Sequence, residues 1–212
     1  MRTRIKFCGC TSVRDAELAI DAGADAIGVI FAASSPRRAS IEIAREIAAA
    51  VPPYIQLVGV FVDPERELVA EARSAGYVAQ FSGSEPASLT ESVAGRPYLK
   101  VYHVRPGDEP TPEAFEASAR AYTHATWMFE PKVHGMDGGT GQTFRWDLAR
   151  ALAGGRRFVI SGGLTPENVG DCVLSVRPYA VDVRSGIETN NAKDVEKMRA
   201  FVRAVREADA QA

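Results

Sequence analysis

The 212-residue chain predicts an α/β architecture, a single-domain (β/α)8 TIM barrel over residues 1–212. Three observations carry this. Eight short apolar runs alternate with eight longer helical ones, which calls for parallel pairing through crossovers. The last two strand-like runs each pass into a glycine turn and then a helix start: Phe158-Val159-Ile160 into Ser161-Gly162-Gly163-Leu164-Thr165-Pro166, and Ala180-Val181-Asp182-Val183 into Arg184-Ser185-Gly186. No Gly-x-Gly-x-x-Gly follows the first strand and no Walker loop is present, which disfavours an open dinucleotide or P-loop sheet.

The strands are expected at residues 5–8, 26–31, 56–61, 77–81, 98–102, 126–130, 157–160 and 180–183. The helices are expected at 12–22, 41–50, 64–75, 85–94, 112–122, 146–153, 166–175 and 192–207. Ser12 can cap the first helix, with Asp15 three residues on. Gly23 and Gly76 stand where the first and third helices should stop. Thr111-Pro112 and Thr165-Pro166 place proline at a first helical position. The stretch 105–112 reads as a loop between the fifth strand and its helix. In an eight-fold barrel the turns after strands seven and eight form the usual phosphate site, with backbone N–H groups at helix starts facing the anion. A phosphorylated small molecule is therefore the expected ligand.

A net charge of −2 without a basic stripe argues against nucleic acid. No apolar run approaches the roughly 20 residues of a membrane span. The segment Met1–Lys6 enters a strand pattern directly, without a secretory h-region. Three cysteines do not make a disulfide framework. A cytoplasmic location is expected, with no membrane partner.

Strand parity sorts the candidate chemistry. Ile5 and Phe7 should face the helices, which turns Lys6 and Cys8 inward and leaves Cys8 at the C-terminal rim, where barrel enzymes keep their reactive groups. A nearby Lys6 favours the Cys8 thiolate. An ordinary thiol pKa of about 8.5 needs only modest depression to serve as a base at neutral pH. Alone, a buried cysteine is more often a small apolar filler. Cys10 reads as loop packing and Cys172 as helix core. A zinc reading of Cys8-x-Cys10 fails for lack of a second ligand pair, so no metal is expected. Trp127 and Phe129 should face the helices, turning Thr126, Met128 and Glu130 inward. Barrel closure sets strand eight beside strand one, so Asp182 and Lys6 can form an interior ion pair.

Glu130 and Asp137 are the candidate proton donors. Glu130 could equally be a strand-end carboxylate in solvent or one paired with Lys132, and Asp137 a turn residue. Asp137 lies in residues 135–141, where four of seven residues are glycine, a composition suited to movement or close approach to a ligand. His103, His124 and His134 are scattered, and only His134 falls in that loop. Arg37 could clamp a carboxylate bidentately or be a solvated loop residue. Gln80, inward on strand four, could orient a hydroxyl or satisfy a core neighbour.

Several segments together resemble the phosphoribosylanthranilate isomerases of tryptophan biosynthesis. They are Lys6-Phe7-Cys8-Gly9-Cys10-Thr11; Gly28-Val29-Ile30-Phe31 leading to Ser35-Pro36-Arg37; Gly138-Gly139-Thr140-Gly141-Gln142-Thr143-Phe144 with Trp146; Ser161-Gly162-Gly163-Leu164 with Pro166 and Asn168-Val169; and Val181-Asp182-Val183 with Ser185-Gly186-Ile187-Glu188. They run in order over nearly the whole chain. The resemblance implies a cofactor-free barrel that converts N-(5-phosphoribosyl)anthranilate to 1-(2-carboxyphenylamino)-1-deoxyribulose 5-phosphate. It implies Cys8 as general base and Arg37 on the anthranilate carboxylate. It also implies phosphate at Gly162-Gly163 and Ser185-Gly186, and Asp182 against the anthranilate or ribose portion. Family members include monomers and homodimers.

Three positions depart from the family pattern. The acid ending strand six is usually aspartate and here reads Glu130, which we favour over Asp137. The usual Gln-Leu-His-Gly reads Gln80-Phe81-Ser82-Gly83, losing a histidine near the mouth. The usual Ser-Ser-Gly reads Arg184-Ser185-Gly186, adding a cation to the phosphate site or reaching a second anionic group. Glu130 and Arg184 motivate an alternative, an isomerase of another aminated ribose 5-phosphate. A non-catalytic phosphosugar binder is a further alternative, but binding alone would need neither Cys8 nor a carboxyl ending strand six.

Overall fold

Alternation within each strand gives one side to the helices and one to the barrel interior, and the eight strands close into a ring. The computed structural model describes residues 2–95, 97–104, 107, 109–131 and 146–212. The strands are β1 (Arg4–Cys8), β2 (Ala26–Ile30), β3 (Gln56–Phe61), β4 (Val78–Phe81), β5 (Tyr98–Val104), β6 (Ala125–Pro131), β7 (Phe158–Ile160) and β8 (Ala180–Val183). The helices are α1 (Val13–Ala22), α2 (Ile41–Ala50), α3 (Arg66–Ser74), α4 (Ala87–Val93), α5 (Pro112–Ala119), α6 (Trp146–Ala153), α7 (Val169–Val176) and α8 (Val195–Gln211). All strand pairs in the ring are parallel, and β8 closes it on β1 with Lys6 opposite Asp182. The alternating pattern therefore gives the expected (β/α)8 barrel.

The local signals act as their chemistry requires. Ser12 Oγ accepts from the Asp15 N–H at 3.1 Å, while Asp15 accepts from the Thr11 N–H at 2.8 Å. Gly23 takes φ 105, letting its N–H reach the Ile20 carbonyl and the next N–H reach Ala19. Thr111 caps α5 with proline in the first turn.

Between strands and helices lies one large apolar layer that holds Phe7, Ile27, Phe61, Phe81, Phe129 and Ile160 against α-helical residues such as Phe115 and Phe201. Each such fully buried side chain contributes about 1.5–3 kcal/mol of transfer free energy. Inside the ring, Val101, Met128, Val159 and Ala180 form a separate plug, and Cys8, Ile30, Ala32 and Val60 form another. The parity reading of β1 and β6 thus holds: Met128 points in, Trp127 and Phe129 point out.

Several boundaries shift from expectation, and three of the shifts bear on the site. β5 and β6 pair residue by residue from Tyr98–Ala125 to Val104–Pro131, so the ladder carries β5 past Tyr102 and takes in His103. Thr165-Pro166 opens a turn rather than a helix. Asn168 ties that turn, accepting from the Thr165 N–H at 2.8 Å and donating to the Gly163 carbonyl at 2.9 Å, and α7 begins at Val169. Ala192 and Lys193 leave the last helix for a hairpin formed by β9 (Glu188–Thr189) and β10 (Ala192–Lys193). Asn190 and Asn191, at φ 51 and 64, form its two-residue turn. Asp194 then caps α8 through the N–H groups of Glu196 and Lys197. Among the described residues, no helix is long and apolar enough to cross a membrane.

Candidate active site

The C-terminal strand ends gather the polar residues that parity turned inward. The Lys6 ammonium meets Asp182 Oδ1 at 2.6 Å, both side chains being under a tenth exposed. Burial works against the Lys6 charge, but Asp182 and the Cys8 sulfur together hold its pKa above the ordinary lysine value. Gly28, opposite Cys8 on β2, makes room for this arrangement. A Cβ there would lie 2.9 Å from both Cys8 Sγ and Lys6 Nζ.

Cys8 itself corrects an expectation. Its thiol is pushed up rather than down, because burial outweighs the attraction of Lys6, with Asp182 adding to the rise and Lys193 opposing it. Lys6 is the main group drawing the proton from sulfur, and loss of water around the buried thiol outweighs it. The resting form is a thiol. Cys10 and Cys172 are fully buried, and burial pushes each up to about 12.

Glu130 stands three strands away, reached from β1 through β8, β7 and β6. Its side chain is 36 % exposed, yet burial of the carboxyl raises its pKa above the usual carboxylate range. The nearby charge of Asp182 adds to the rise, while His103, Arg184 and Lys6 counter it. The carboxyl therefore holds its proton more readily than an ordinary glutamate does. Lys132 and Asp137, the alternatives for pairing and for proton donation, lie outside the described residues with the rest of the Gly135–Gly141 loop and His134.

His103 is the residue that sequence reasoning missed. It is the register partner of Glu130, and its Nδ1 lies 3.6 Å from Glu130 Oε2. Its Nε2 sits 2.8 Å from the Ser82 carbonyl. A carbonyl only accepts, so Nε2 carries the proton and Nδ1 turns its lone pair toward Glu130 in the neutral ring. The mouth therefore keeps a histidine, supplied by β5 instead of position 82. The signal was the inward series Leu99, Val101, His103, cut short by ending the strand at Tyr102.

Gln80 is buried on β4. Its Nε2 donates to Ser82 Oγ at 3.3 Å, and its Oε1 has no partner among the described residues. Arg37 is a paired residue: Nη2 donates to Glu188 Oε2 at 2.7 Å and to Asn191 Oδ1 at 3.2 Å, and Nε approaches Glu188 Oε1 at 3.3 Å. Lys193 Nζ donates to that same Oε1 at 2.9 Å and to the Cys8 carbonyl at 2.5 Å.

The two glycine turns lie against each other: a Cβ on Gly186 would sit 2.0 Å from the Leu164 carbonyl oxygen. Gly162 and Gly163 take φ 79 and 68. Their N–H groups donate to no backbone carbonyl among the described residues. Ser185-Gly186-Ile187 forms a short 3-10 turn. Arg184 lays its stem over Gly9, whose added Cβ would be 3.4 Å from Arg184 Cγ. Opposed acid and base groups, with an anion-ready turn between their strands, suit proton transfer on a phosphorylated ligand.

The chain is similar to known proteins. The family model for N-(5'phosphoribosyl)anthranilate (PRA) isomerase matches residues 5–204. An N-(5'-phosphoribosyl)anthranilate isomerase of Pseudomonas aeruginosa strain UCBPP-PA14 is 45 % identical over 207 residues, covering 96 % of this chain and 95 % of that protein. The crystal structure of phosphoribosyl anthranilate isomerase from Thermotoga maritima matches at TM-score 0.82 and 34 % identity, over 97 % of this chain and 99 % of that one. Another structure holds such an isomerase in complex with reduced 1-(o-carboxyphenylamino)-1-deoxyribulose 5-phosphate. It matches at TM-score 0.78 and 32 % identity, over 97 % and 99 % of the two chains.

Proposed function

This chain belongs to the N-(5'-phosphoribosyl)anthranilate isomerase family, and from that premise we propose how its residues divide the work of that isomerisation. The chain is an isomerase of tryptophan biosynthesis with a phosphoribosyl substrate. Glu130 is the general acid. It protonates the furanose ring oxygen, the C1–O bond breaks, and the nitrogen lone pair closes a C1=N iminium. Cys8 is the general base. Its thiolate takes the C2 proton, the C2–H electrons form the C1=C2 bond, and the iminium electrons return to nitrogen. The resulting enolamine becomes the ketone when C1 gains a proton and the C2 hydroxyl loses one.

One observation supports this division: Glu130, whose pKa burial raises, and the Cys8 thiol end their strands on the same rim three strands apart, on opposite sides of the mouth. Because the Cys8 pKa is raised, the thiolate is a minor species that Lys6, 2.6 Å from Asp182, stabilises as it forms. Arg37 binds the anthranilate carboxylate. Gly162, Gly163, Ser185 and Gly186 take the phosphate, with Arg184 as an added cation. Asp182 and the free Oε1 of Gln80 meet the ribose portion. The chain acts as a monomer or a homodimer, and the cytoplasm suits its free thiols.

The test is turnover of freshly generated phosphoribosylanthranilate by the wild type, Cys8→Ala, Glu130→Gln and Asp137→Asn. General acid or base loss costs about 10²–10⁴-fold, and it should fall on kcat in Cys8→Ala and Glu130→Gln only. Loss confined to Asp137→Asn moves the acid into the 135–141 loop. Negligible wild-type turnover points to another aminated ribose 5-phosphate.

A further inference from the structure

Among the described residues, Lys6, Arg37, Arg184 and Lys193 bring positive charge to the barrel mouth. Lys6 is matched by Asp182, and Arg184 has no hydrogen-bond or ion-pair partner among the described residues. The other two, Arg37 and Lys193, share the single carboxylate of Glu188. The side chains of this triad are 15 %, 3 % and 7 % exposed respectively. Burying two cations on one carboxylate leaves one positive charge unmatched in a place where charge is costly. Burial alone would raise the Glu188 pKa, but Arg37 and Lys193 overcome it and hold the group below the usual carboxylate range.

Geometry shows where the unmatched charge is offered. Glu188 takes Arg37 Nε and Nη2, and Asn191 takes Nη2 as well. Nη1 has no partner among the described residues. The guanidinium is planar with its donors in a fixed fork, so fixing the Nε–Nη2 edge fixes where Nη1 points. Glu188 therefore does not block Arg37; it sets the angle of its free end. Lys193 completes the device. Its ammonium ties the same carboxylate to the carbonyl of Cys8.

We propose that Glu188 and Lys193 are positioning residues that aim Arg37 at the substrate carboxylate. This rests on the reading of Arg37 as the carboxylate clamp. The hairpin exists to present them: Asn190 and Asn191 turn it, Thr189 Oγ1 bonds Asp194 at 2.7 Å, and Lys197 Nζ bonds the Glu188 carbonyl at 2.8 Å. The β9–β10 hairpin is thus pinned to the start of α8, a stiff mount for a residue that must hold another at a fixed angle.

The experiment compares two ligands. One is phosphoribosylanthranilate; the other is the same phosphoribosylamine built on aniline, which lacks the carboxylate. In Glu188→Gln, KM for the anthranilate compound should rise about 10–100-fold while kcat falls less than about threefold. Kinetics with the aniline compound should stay within about twofold. In an Arg37→Ala background, Glu188→Gln should add nothing to KM, since the pair acts as a unit. Asn191→Gly keeps the positive φ and removes only one Arg37 contact, and should show the same selectivity at about two- to fivefold. It decides the matter where Glu188→Gln does not fold. Equal losses on both compounds, or no KM change in either variant, overturn the proposal while leaving an active wild type and its isomerase reading intact. A wild type inactive on both compounds overturns the two together.

Discussion

Gly162→Ala is the sharpest test of how the β7 turn supports the acid. A Cβ at Gly162 would lie 2.5 Å from Pro131 Cδ, 2.9 Å from Pro131 Cγ and 3.1 Å from Glu130 Cγ. Carbon atoms sit best at about 3.5–4.0 Å, so Pro131 must retreat by about 1 Å and carry Glu130 with it. Gly162 also has φ 79, where a side chain costs about 1–2 kcal/mol. Overpacking adds about 1–3 kcal/mol. A total near 3 kcal/mol lowers Tm by roughly 6–12 °C at this chain length. A misplacement of about 1 Å at a reacting group costs on the order of a hundredfold in rate, and it should appear in kcat. Gly163→Ala is the control. Gly163 shares a positive φ of 68, but nothing lies within 4 Å of its Cβ position. It should lose only about 1 kcal/mol, roughly 2–4 °C, and because Gly163 belongs to the proposed phosphate turn its effect should fall on KM. Thermal unfolding and steady-state turnover of both variants are the assays. Equal kcat losses in the two, or a fully active Gly162→Ala, would refute the contact with Pro131 and Glu130 as the cause.

Two further outcomes concern buried charge. Lys6→Met should cost about 3–5 kcal/mol, because it strands Asp182 with no counter-ion in the interior, and Lys6→Met with Asp182→Asn should regain most of that loss; denaturant titration of the three variants checks it, and a single-variant cost under 1 kcal/mol would contradict it. Glu91 accepts bonds from Tyr98, Thr123 and His124, and these outweigh burial to bring its pKa from 4.5 to about 2. Its folded pKa is the lower one, so its stabilisation is complete above pH 4.5 and is lost as pH falls toward 2. Wild type should lose stability faster than Glu91→Gln across that window, and parallel urea midpoints from pH 5 to pH 2 would rule this out.

Most of the barrel was legible in the sequence because its signals are local. Strand alternation, the Ser12 cap and the Gly23 stop need only neighbours along the chain, and parity alone put Lys6, Cys8, Met128 and Glu130 inside the ring. Closure of an eight-strand ring then forced Asp182 beside Lys6. Ladders were less legible: only pairing with β6 carries β5 to His103, and that residue faces Glu130. The Asn190-Asn191 hairpin was hidden by a helical pattern that begins three residues too early. Only the tertiary structure decided the charge state of Cys8. Sequence shows a lysine two residues away and suggests a thiolate. Folding commits that lysine to Asp182 and strips water from the sulfur, and desolvation depends on everything packed around an atom, which no local pattern records. For the same reason the partnership of Arg37 with Glu188 and Lys193, which lie more than 150 residues further along the chain, belongs to the folded barrel alone.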